Sequence, residues 1–267
     1  MAATNAPDSA GTATERAGVK SARRAVELVE AFAAAEDWLT PGDLHASTGM
    51  PRSSLHGLLH TLVEVGWLEA NPAQTRYRLG VRALICGTAY LDRDPAVPFA
   101  TRALEEVRAQ TGFTAHFARR YGTDIVYLET RESHHSAHLT SRVGRTLPAH
   151  ATSLGKALLA ELTPAEVTEL LPESLPAFTT HTVVSREELE KQLVEIREAG
   201  WAGEVEEGTV GVRCVAAPIP YRIPATDALS CSMPVDQADD ATAKQVAGVL
   251  VEAATNLGRK LRAAGIR

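Results

Sequence analysis

Polar side chains recur on one side of a helical repeat in the first quarter of the chain. The apolar residues of this repeat fall at i, i+3, i+4 and i+7, which predicts a helix with one buried stripe. They are Leu55, Leu58, Leu59 and Leu62. The remaining positions include Arg52, Ser53, Ser54, His56, Gly57 and His60. Because arginine, serine and histidine can donate hydrogen bonds to base edges and phosphates, this segment predicts a DNA contact.

The net charge of the chain points away from nucleic acid, whereas the distribution of charge does not. The sequence has 27 basic and 33 acidic residues and a formal net charge of −6. No acidic residue lies between Asp43 and Glu64 or between Glu69 and Asp92. Local charge decides whether a surface attracts phosphate. The two acid-free windows are therefore compatible with DNA binding by the polar helix and the segment after it.

Helix and turn signals in front of the polar helix predict a helix-turn-helix. A first helix is expected from Ser21, a good N-cap. Thr40 followed by Pro41 is typical of a second helix start. Residues 48–50 form a turn before the polar helix, and Gly66 ends that helix. A short helix, a turn with glycine and a helix with a polar outer face together describe a helix-turn-helix.

A β-hairpin is expected directly after the polar helix and makes the motif winged. Its strands are residues 67–70 and 75–79, with a turn at 71–74. The DNA-binding candidates outside the polar helix are Arg23, Arg76 and Arg78. A winged helix can also mediate protein contacts with its arginines simply solvated, so a protein-interaction module is the alternative at this point.

Helix and strand patterns alternate through the rest of the chain. Helices are predicted over residues 81–91, 98–111, 152–162, 185–199 and 236–263, and strands over 113–119, 125–130, 137–141, 213–219 and 228–232. A capping box of Ser185 and Glu188 begins one of these helices. The predicted divisions are a disordered tail at 1–18, a DNA-binding domain at 19–80, a linker helix at 81–96 and a second domain at 97–267.

Composition excludes several classes of protein. With 45% hydrophobic residues, the 267-residue chain can bury a core without disulfides, and three cysteines are too few for a zinc ribbon. No apolar run approaches the roughly 18 residues of a membrane span, and the N-terminus lacks the pattern of a secretory signal. Neither a phosphate-binding glycine loop nor a paired-carboxylate motif is present. We expect a cytoplasmic protein without cofactor, bound metal or catalytic residues.

Five segments carry a family resemblance that covers nearly the whole chain from residue 19. They are residues 19–25 (VKSARRA), 48–56 (TGMPRSSLH), 77–80 (YRLG), 147–160 (LPAHATSLGKALLA) and 211–218 (GVRCVAAP). In this order, the segments resemble those of the IclR family of bacterial transcription regulators. The fourth segment is similar to the most distinctive part of that family.

The resemblance implies an α+β fold and a regulatory function. The expected parts are an N-terminal winged helix-turn-helix, a linker helix and a C-terminal α/β effector domain around a curved antiparallel sheet. The expected partners are double-stranded operator DNA, a small-molecule effector and further copies of the chain, as a homodimer or a dimer of dimers. Family members control catabolic operons, often for organic acids or aromatic compounds. A ligand-responsive repressor is therefore expected.

The effector site is expected at the start of the helix near residue 152. Unpaired N–H groups at a helix start favour a carboxylate. The resemblance implies effector contacts at Ser153, Leu154 and Gly155, an apolar wall of Leu139 and Leu147, and further contacts from Glu204, Val212, Cys214, Ser230 and Ser232. An anion site, an apolar wall and several hydroxyls favour a small organic or aromatic hydroxy acid.

The polar helix departs from the family pattern at two positions. Gly57 stands where family members often carry arginine, and His60 stands where they carry arginine or glutamine. Glycine inside a helix costs roughly 1 kcal/mol relative to alanine. A lost arginine also removes a guanine contact worth about 1–3 kcal/mol. We expect either an unusual operator, a larger share of binding by Arg52 and the wing, or close backbone approach at Gly57.

Two other functions fit parts of the second domain. His134, His135 and His138 crowd together, with Glu129 and Glu132 as the nearest acids, and imidazoles at such spacing could make a metal-responsive regulator.

A Cys214 nucleophile with His150 as its base would make a hydrolase instead. Cys214 lies in an apolar run, and the sequence shows no third group that would orient the base.

Overall fold

The computed structural model describes residues 18–133 and 143–267. The chain folds into two compact units, one ending at Ala89 and one running from Tyr90 to Arg267. The expected strand at 137–141 lies outside the described residues, as does the expected tail up to residue 17. Each unit is described separately.

The first unit contains the helices and the hairpin that the sequence predicts. Its elements are α1 (Lys20–Ala34), α2 (Pro41–Thr48), α3 (Arg52–Glu64), β1 (Leu68–Ala70) and β2 (Tyr77–Leu79), and α4 (Val81–Arg93) follows them. α2 begins with a capping box, in which the Asp43 N–H donates to Thr40 Oγ1 at 3.2 Å and the Thr40 N–H donates to the Asp43 carboxylate at 2.8 Å. It ends at Gly49, whose φ of 66° favours glycine.

One small core holds the three helices and the hairpin together. Leu28 of α1, Leu44 of α2, and Leu55 and Leu59 of α3 are fully or almost fully buried in it. The hairpin closes behind α3 because Gly80 allows close approach. A Cβ at that position would lie 2.5 Å from the Gly66 carbonyl oxygen. The predicted winged helix-turn-helix is confirmed.

The second unit is a six-stranded sheet with helices on both faces. Its helices are α5 (Val97–Thr111), α6 (Ser153–Leu159), α7 (Pro164–Leu170), α8 (Arg186–Ala199) and α9 (Asp240–Ala263). Its strands are β3 (Thr114–Tyr121), β4 (Asp124–Arg131), β5 (Thr146–Pro148), β6 (Ala202–Val205), β7 (Val212–Pro218) and β8 (Asp227–Pro234). The strand order is β5-β4-β3-β8-β7-β6, and every pair is antiparallel.

The two faces of this sheet bury separate cores. Phe117 and Leu229 point to one face, where α5 and α9 pack against them. Ala118 and Ala216 point to the other face, where Leu158 of α6 and the apolar side of α8 cover them. Alternation of side chains along a strand explains why Phe117 and its neighbour Ala118 belong to different cores. The predicted α+β fold with an antiparallel sheet is confirmed.

Several element boundaries differ from those that the sequence predicts. α9 begins at Asp240 instead of residue 236, because Asp239 caps it by accepting the Thr242 N–H at 2.8 Å. α6 ends at Leu159, before a separate helix, α7, that the patterns did not predict. β5 and β6 were also not predicted, because they are three and four residues long.

The expected capping box of α8 forms only in part. Ser185 Oγ accepts the Glu188 N–H at 3.3 Å, and no return bond from the Glu188 carboxylate is present in this described segment. Among the described helices, none has an apolar stretch long enough to cross a bilayer.

Candidate DNA-binding surface and ligand pocket

The outward face of α3 gathers most of the predicted DNA-binding residues. Arg52, Ser53, His56, Gly57 and His60 are all exposed, because the leucines between them face the core. At Gly57, a Cβ would have no described heavy atom within 4 Å. Packing against the described residues therefore does not require glycine at position 57, and it does not explain why this position departs from the family pattern.

Ser54 differs from the other predicted residues of α3. It is half-buried, and its hydroxyl accepts a hydrogen bond from Arg24 Nη1 of α1 at 3.0 Å. The sequence placed Ser54 with the DNA contacts, whereas its hydroxyl is engaged in holding α3 against α1. No local pattern indicated Arg24, since the two residues are 30 positions apart.

The wing arginines are placed differently from each other. Arg78 donates to the Glu69 carboxylate at 2.7 and 2.9 Å, and its guanidinium lies 4.6 Å from the centre of the Trp38 ring. Arg76 and Arg23 are exposed. A segment that contains no acidic residue in the sequence can therefore still lie next to an acidic side chain in the folded unit. The hairpin register pairs Glu69 with Arg78, so the wing's charge is partly neutralised by its own strand partner.

A pocket of about 90 Å³ opens in the second unit beside β4, β5, α6, β7 and β8. Eight of the ten predicted effector residues line it: Leu147, Ser153, Leu154, Glu204, Val212, Cys214, Ser230 and Ser232. Five further residues line it without having been predicted: Tyr127, Arg145, Thr152, Gly208 and Thr209. The sheet brings these residues together from segments up to about a hundred positions apart, which sequence spacing alone does not reveal.

Gly155 and Leu139 are the two predicted residues that do not join this set. A Cβ on Gly155 would overlap the Ala149 Cα and carbonyl oxygen, so glycine is needed there for close packing. The expectation that Gly155 contacts the effector is corrected to this packing role. Leu139 lies outside the described residues.

The expected carboxylate site at the start of α6 is weaker than the sequence suggested. α6 has only seven residues, and Thr152 Oγ1 already accepts the Gly155 N–H at 3.0 Å. Arg145 is the cationic side chain of the described pocket lining. Its position between an expected strand and a leucine-rich segment gave no signal that it would reach the pocket.

A chain of hydrogen bonds runs behind the pocket. Cys214 Sγ lies 3.3 Å from Ser232 Oγ, which lies 3.1 Å from His116 Nε2, and the strand register pairs Cys214 with Glu204. Burial raises the pKa of the Glu204 carboxyl to about 7 and lowers the pKa of His116 to about 3. Near pH 7 the Glu204 carboxyl is therefore only partly ionised, and His116 is uncharged.

The same geometry opposes the hydrolase alternative. Burial raises the pKa of the Cys214 thiol well above its usual value, so the thiolate that a nucleophile needs is disfavoured. His150 directs Nε2 to the Pro176 carbonyl oxygen at 2.9 Å and does not line the pocket.

The metal alternative rests on His134, His135 and His138, which lie outside the described residues. Within residues 18–133 and 143–267, no group of three or more histidine, cysteine, aspartate or glutamate residues is arranged to hold a metal ion.

Known proteins match both units of the chain. Residues 21–72 match the model of the IclR helix-turn-helix domain, and residues 88–259 match that of the bacterial transcriptional regulator IclR C-terminal domain. The HTH-type transcriptional regulator XynR of Escherichia coli (strain K12) is 35% identical over 245 residues, which cover 91% of this chain and 97% of that protein. The transcriptional repressor IclR of the same strain is 28% identical over 248 residues, 91% of this chain and 90% of that protein.

A solved structure shares the fold across both units. The crystal structure of an IclR homolog from Microbacterium hydrocarbonoxydans, complexed with 4-hydroxybenzoate, superimposes with a TM-score of 0.74 at 27% identity. The match covers 91% of this chain and all of that one. With the two domain matches, the winged helix and the antiparallel sheet, the chain belongs to the IclR family of DNA-binding bacterial transcription regulators.

Proposed function

We propose that the chain is a ligand-responsive repressor that binds operator DNA through α3 and its wing. The observation that carries this proposal is the exposed face of α3, where Ser53 is exposed and neither Arg52 nor His56 forms an ion pair with any described carboxylate. Such a face fits the major groove, where arginine and serine read base edges. Because a bacterial regulator acts where its operator DNA lies, we propose that the chain is located in the cytoplasm.

The proposed effector is a small organic or aromatic hydroxy acid held in the pocket of the second unit. Hydroxyls from Ser153, Ser230 and Ser232 and a leucine wall support this class. The relative from Microbacterium hydrocarbonoxydans, whose complex holds 4-hydroxybenzoate, supports an aromatic member of it. We propose a catabolic operon as the target, since a hydroxy acid is a degradable metabolite.

A DNA gel shift on the region upstream of the chain's own gene tests the proposed function. Wild-type protein should retard that DNA, and Arg52→Ala should weaken binding by about 1–3 kcal/mol, or roughly 5- to 150-fold. Arg102→Ala, which removes an exposed arginine of α5, is the matched control and should leave binding unchanged.

Addition of a hydroxy acid that binds the protein should release the DNA if the chain is a repressor relieved by its ligand. Equal binding by wild type and Arg52→Ala would move recognition away from α3. A ligand that tightens the DNA complex would contradict the repressor assignment.

A further inference from the structure

Arg145 and Glu204 both line the pocket and come from opposite edges of the sheet, since Arg145 directly precedes β5 and Glu204 lies on β6. Arg145 is exposed, and its backbone carbonyl accepts the Tyr127 N–H at 3.0 Å, which anchors the residue beside β4. Its guanidinium makes no hydrogen bond or ion pair with the residues that the structure describes. It lines the cavity, and none of its five donors is used by a residue of the described ranges.

Glu204 has an unusual environment for a carboxylate. It is only 6% exposed, and its Oε2 accepts the Glu207 N–H at 2.8 Å. The nearest buried cation, Lys156, is engaged by Glu207 at 2.5 Å and Gln192 at 2.7 Å. No ion pair to Glu204 exists among the described residues, so no described cation binds this carboxyl directly.

We propose that Arg145 binds the single carboxylate of the ligand, and that Glu204, Cys214 and Ser232 bind a hydroxyl or carbonyl at its other end. The pocket then selects monocarboxylic acids over dicarboxylic acids. This inference rests on the proposed function and deepens it, by assigning the charge of the ligand and the residue that recognises it.

The selection follows from the placement of charge. An arginine binds a carboxylate through two parallel hydrogen bonds, which fixes the orientation of the ligand. A second carboxylate at the far end would lie against the buried Glu204 carboxyl, where desolvation and repulsion both oppose it. A hydroxyl can instead donate to the Glu204 oxygen or accept from Ser232.

Calorimetric titration of the full chain without DNA tests the inference with matched acids. The probes are lactate against malate and 4-hydroxybenzoate against 4-hydroxyisophthalate, with 4-hydroxybenzamide as the uncharged analogue. At least one monocarboxylate should bind, its dicarboxylate partner should bind about tenfold more weakly or less, and the amide should not bind. Equal or tighter binding of the dicarboxylates would overturn the inference, as would failure of both monocarboxylates at about 10 mM.

Variants assign the effect to the two ends of the pocket. Arg145→Gln should weaken the monocarboxylate at least about tenfold, Arg145→Lys should restore part of the affinity, and Arg102→Gln should behave as wild type. Glu204→Gln should reduce the discrimination between mono- and dicarboxylate. Unchanged binding by Arg145→Gln would remove Arg145 from the site.

The two proposals fail separately in these experiments. A chain that retards its upstream DNA but prefers dicarboxylates loses only the assignment of ligand charge. A chain that binds monocarboxylates but no DNA loses the proposed repressor function.

Discussion

Glu204 is a residue through which pH should act on the second unit. Burial raises its pKa from an ordinary 4.5 to about 7, with Cys214, Glu207 and Lys156 as its ionisable neighbours. Between these two values the folded protein keeps a proton that the unfolded chain releases. The contribution of Glu204 to the free energy of unfolding must therefore fall as pH rises from about 4.5 to about 7. Buried His116, with its pKa lowered from 6.5 to about 3, contributes in the opposite direction between those two values.

We predict that Glu204→Gln removes this pH-dependent decrease in the free energy of unfolding. Relative to the variant, wild-type protein should lose on the order of 3 kcal/mol between pH 5 and pH 8, because each unit of pKa shift corresponds to about 1.4 kcal/mol. Urea denaturation of both proteins at both pH values measures the difference. Parallel pH profiles for the two proteins would show that Glu204 is ionised at neutral pH. Glu161→Gln, at a carboxyl outside the pocket lining, is the control.

At the scale of the element, the leucine spacing of α3 favours a helix, whereas one residue within it lowers helix stability. Gly57 is exposed in the middle of this helix, with no described atom near its missing Cβ. Glycine there lowers helix stability without any gain in packing.

Gly57→Ala should therefore stabilise the first unit by about 0.5–1 kcal/mol. The midpoint of urea unfolding, followed by circular dichroism, measures the change. Gly66→Ala is the matched comparison just beyond the same helix. It should destabilise the unit, because φ is 77° at Gly66 and alanine is strained there. A loss of stability in Gly57→Ala would mean that α3 has a neighbour at this position.

The elements also show where sequence patterns succeed. α2 and α3 were predicted because capping residues, a glycine turn and leucine spacing act within a few residues of each other. β5 and β6 were missed because each has at most four residues, and short edge strands owe their conformation to the neighbouring strand.

At the scale of the whole molecule, α4 carries an apolar stripe that residues 18–133 and 143–267 leave uncovered. Val81, Leu84 and Ile85 are 62%, 65% and 59% exposed, and no residue of α4, which is described throughout, is buried. Their i, i+3, i+4 spacing places them on one side of the helix. The family resemblance implies further copies of the chain, and most soluble oligomers are symmetric assemblies of identical chains. We therefore propose a second copy of the chain as the partner of this stripe.

Leu84→Glu should therefore lower the mass of the protein in solution. Light scattering after size-exclusion chromatography should give a dimer or tetramer for wild type and a smaller species for the variant. Cys86→Glu, which lies off the stripe on the same helix, should keep the wild-type mass. Equal masses for wild type and Leu84→Glu would place the oligomer contact elsewhere.

By itself, the sequence determined the family, the winged helix-turn-helix and most of the residues of the pocket. The winged helix-turn-helix depends on local spacing and caps, which are readable along the chain, whereas the family and the pocket residues were implied by recognisable segments. Only the tertiary structure decided which charges remain available. Glu69 neutralises Arg78 across the hairpin, Arg24 engages Ser54 from another helix, and Arg145 reaches the pocket with no partner among the described residues. The physical reason is that Coulomb and hydrogen-bond energies depend on distance in space, and folding sets that distance independently of separation along the chain.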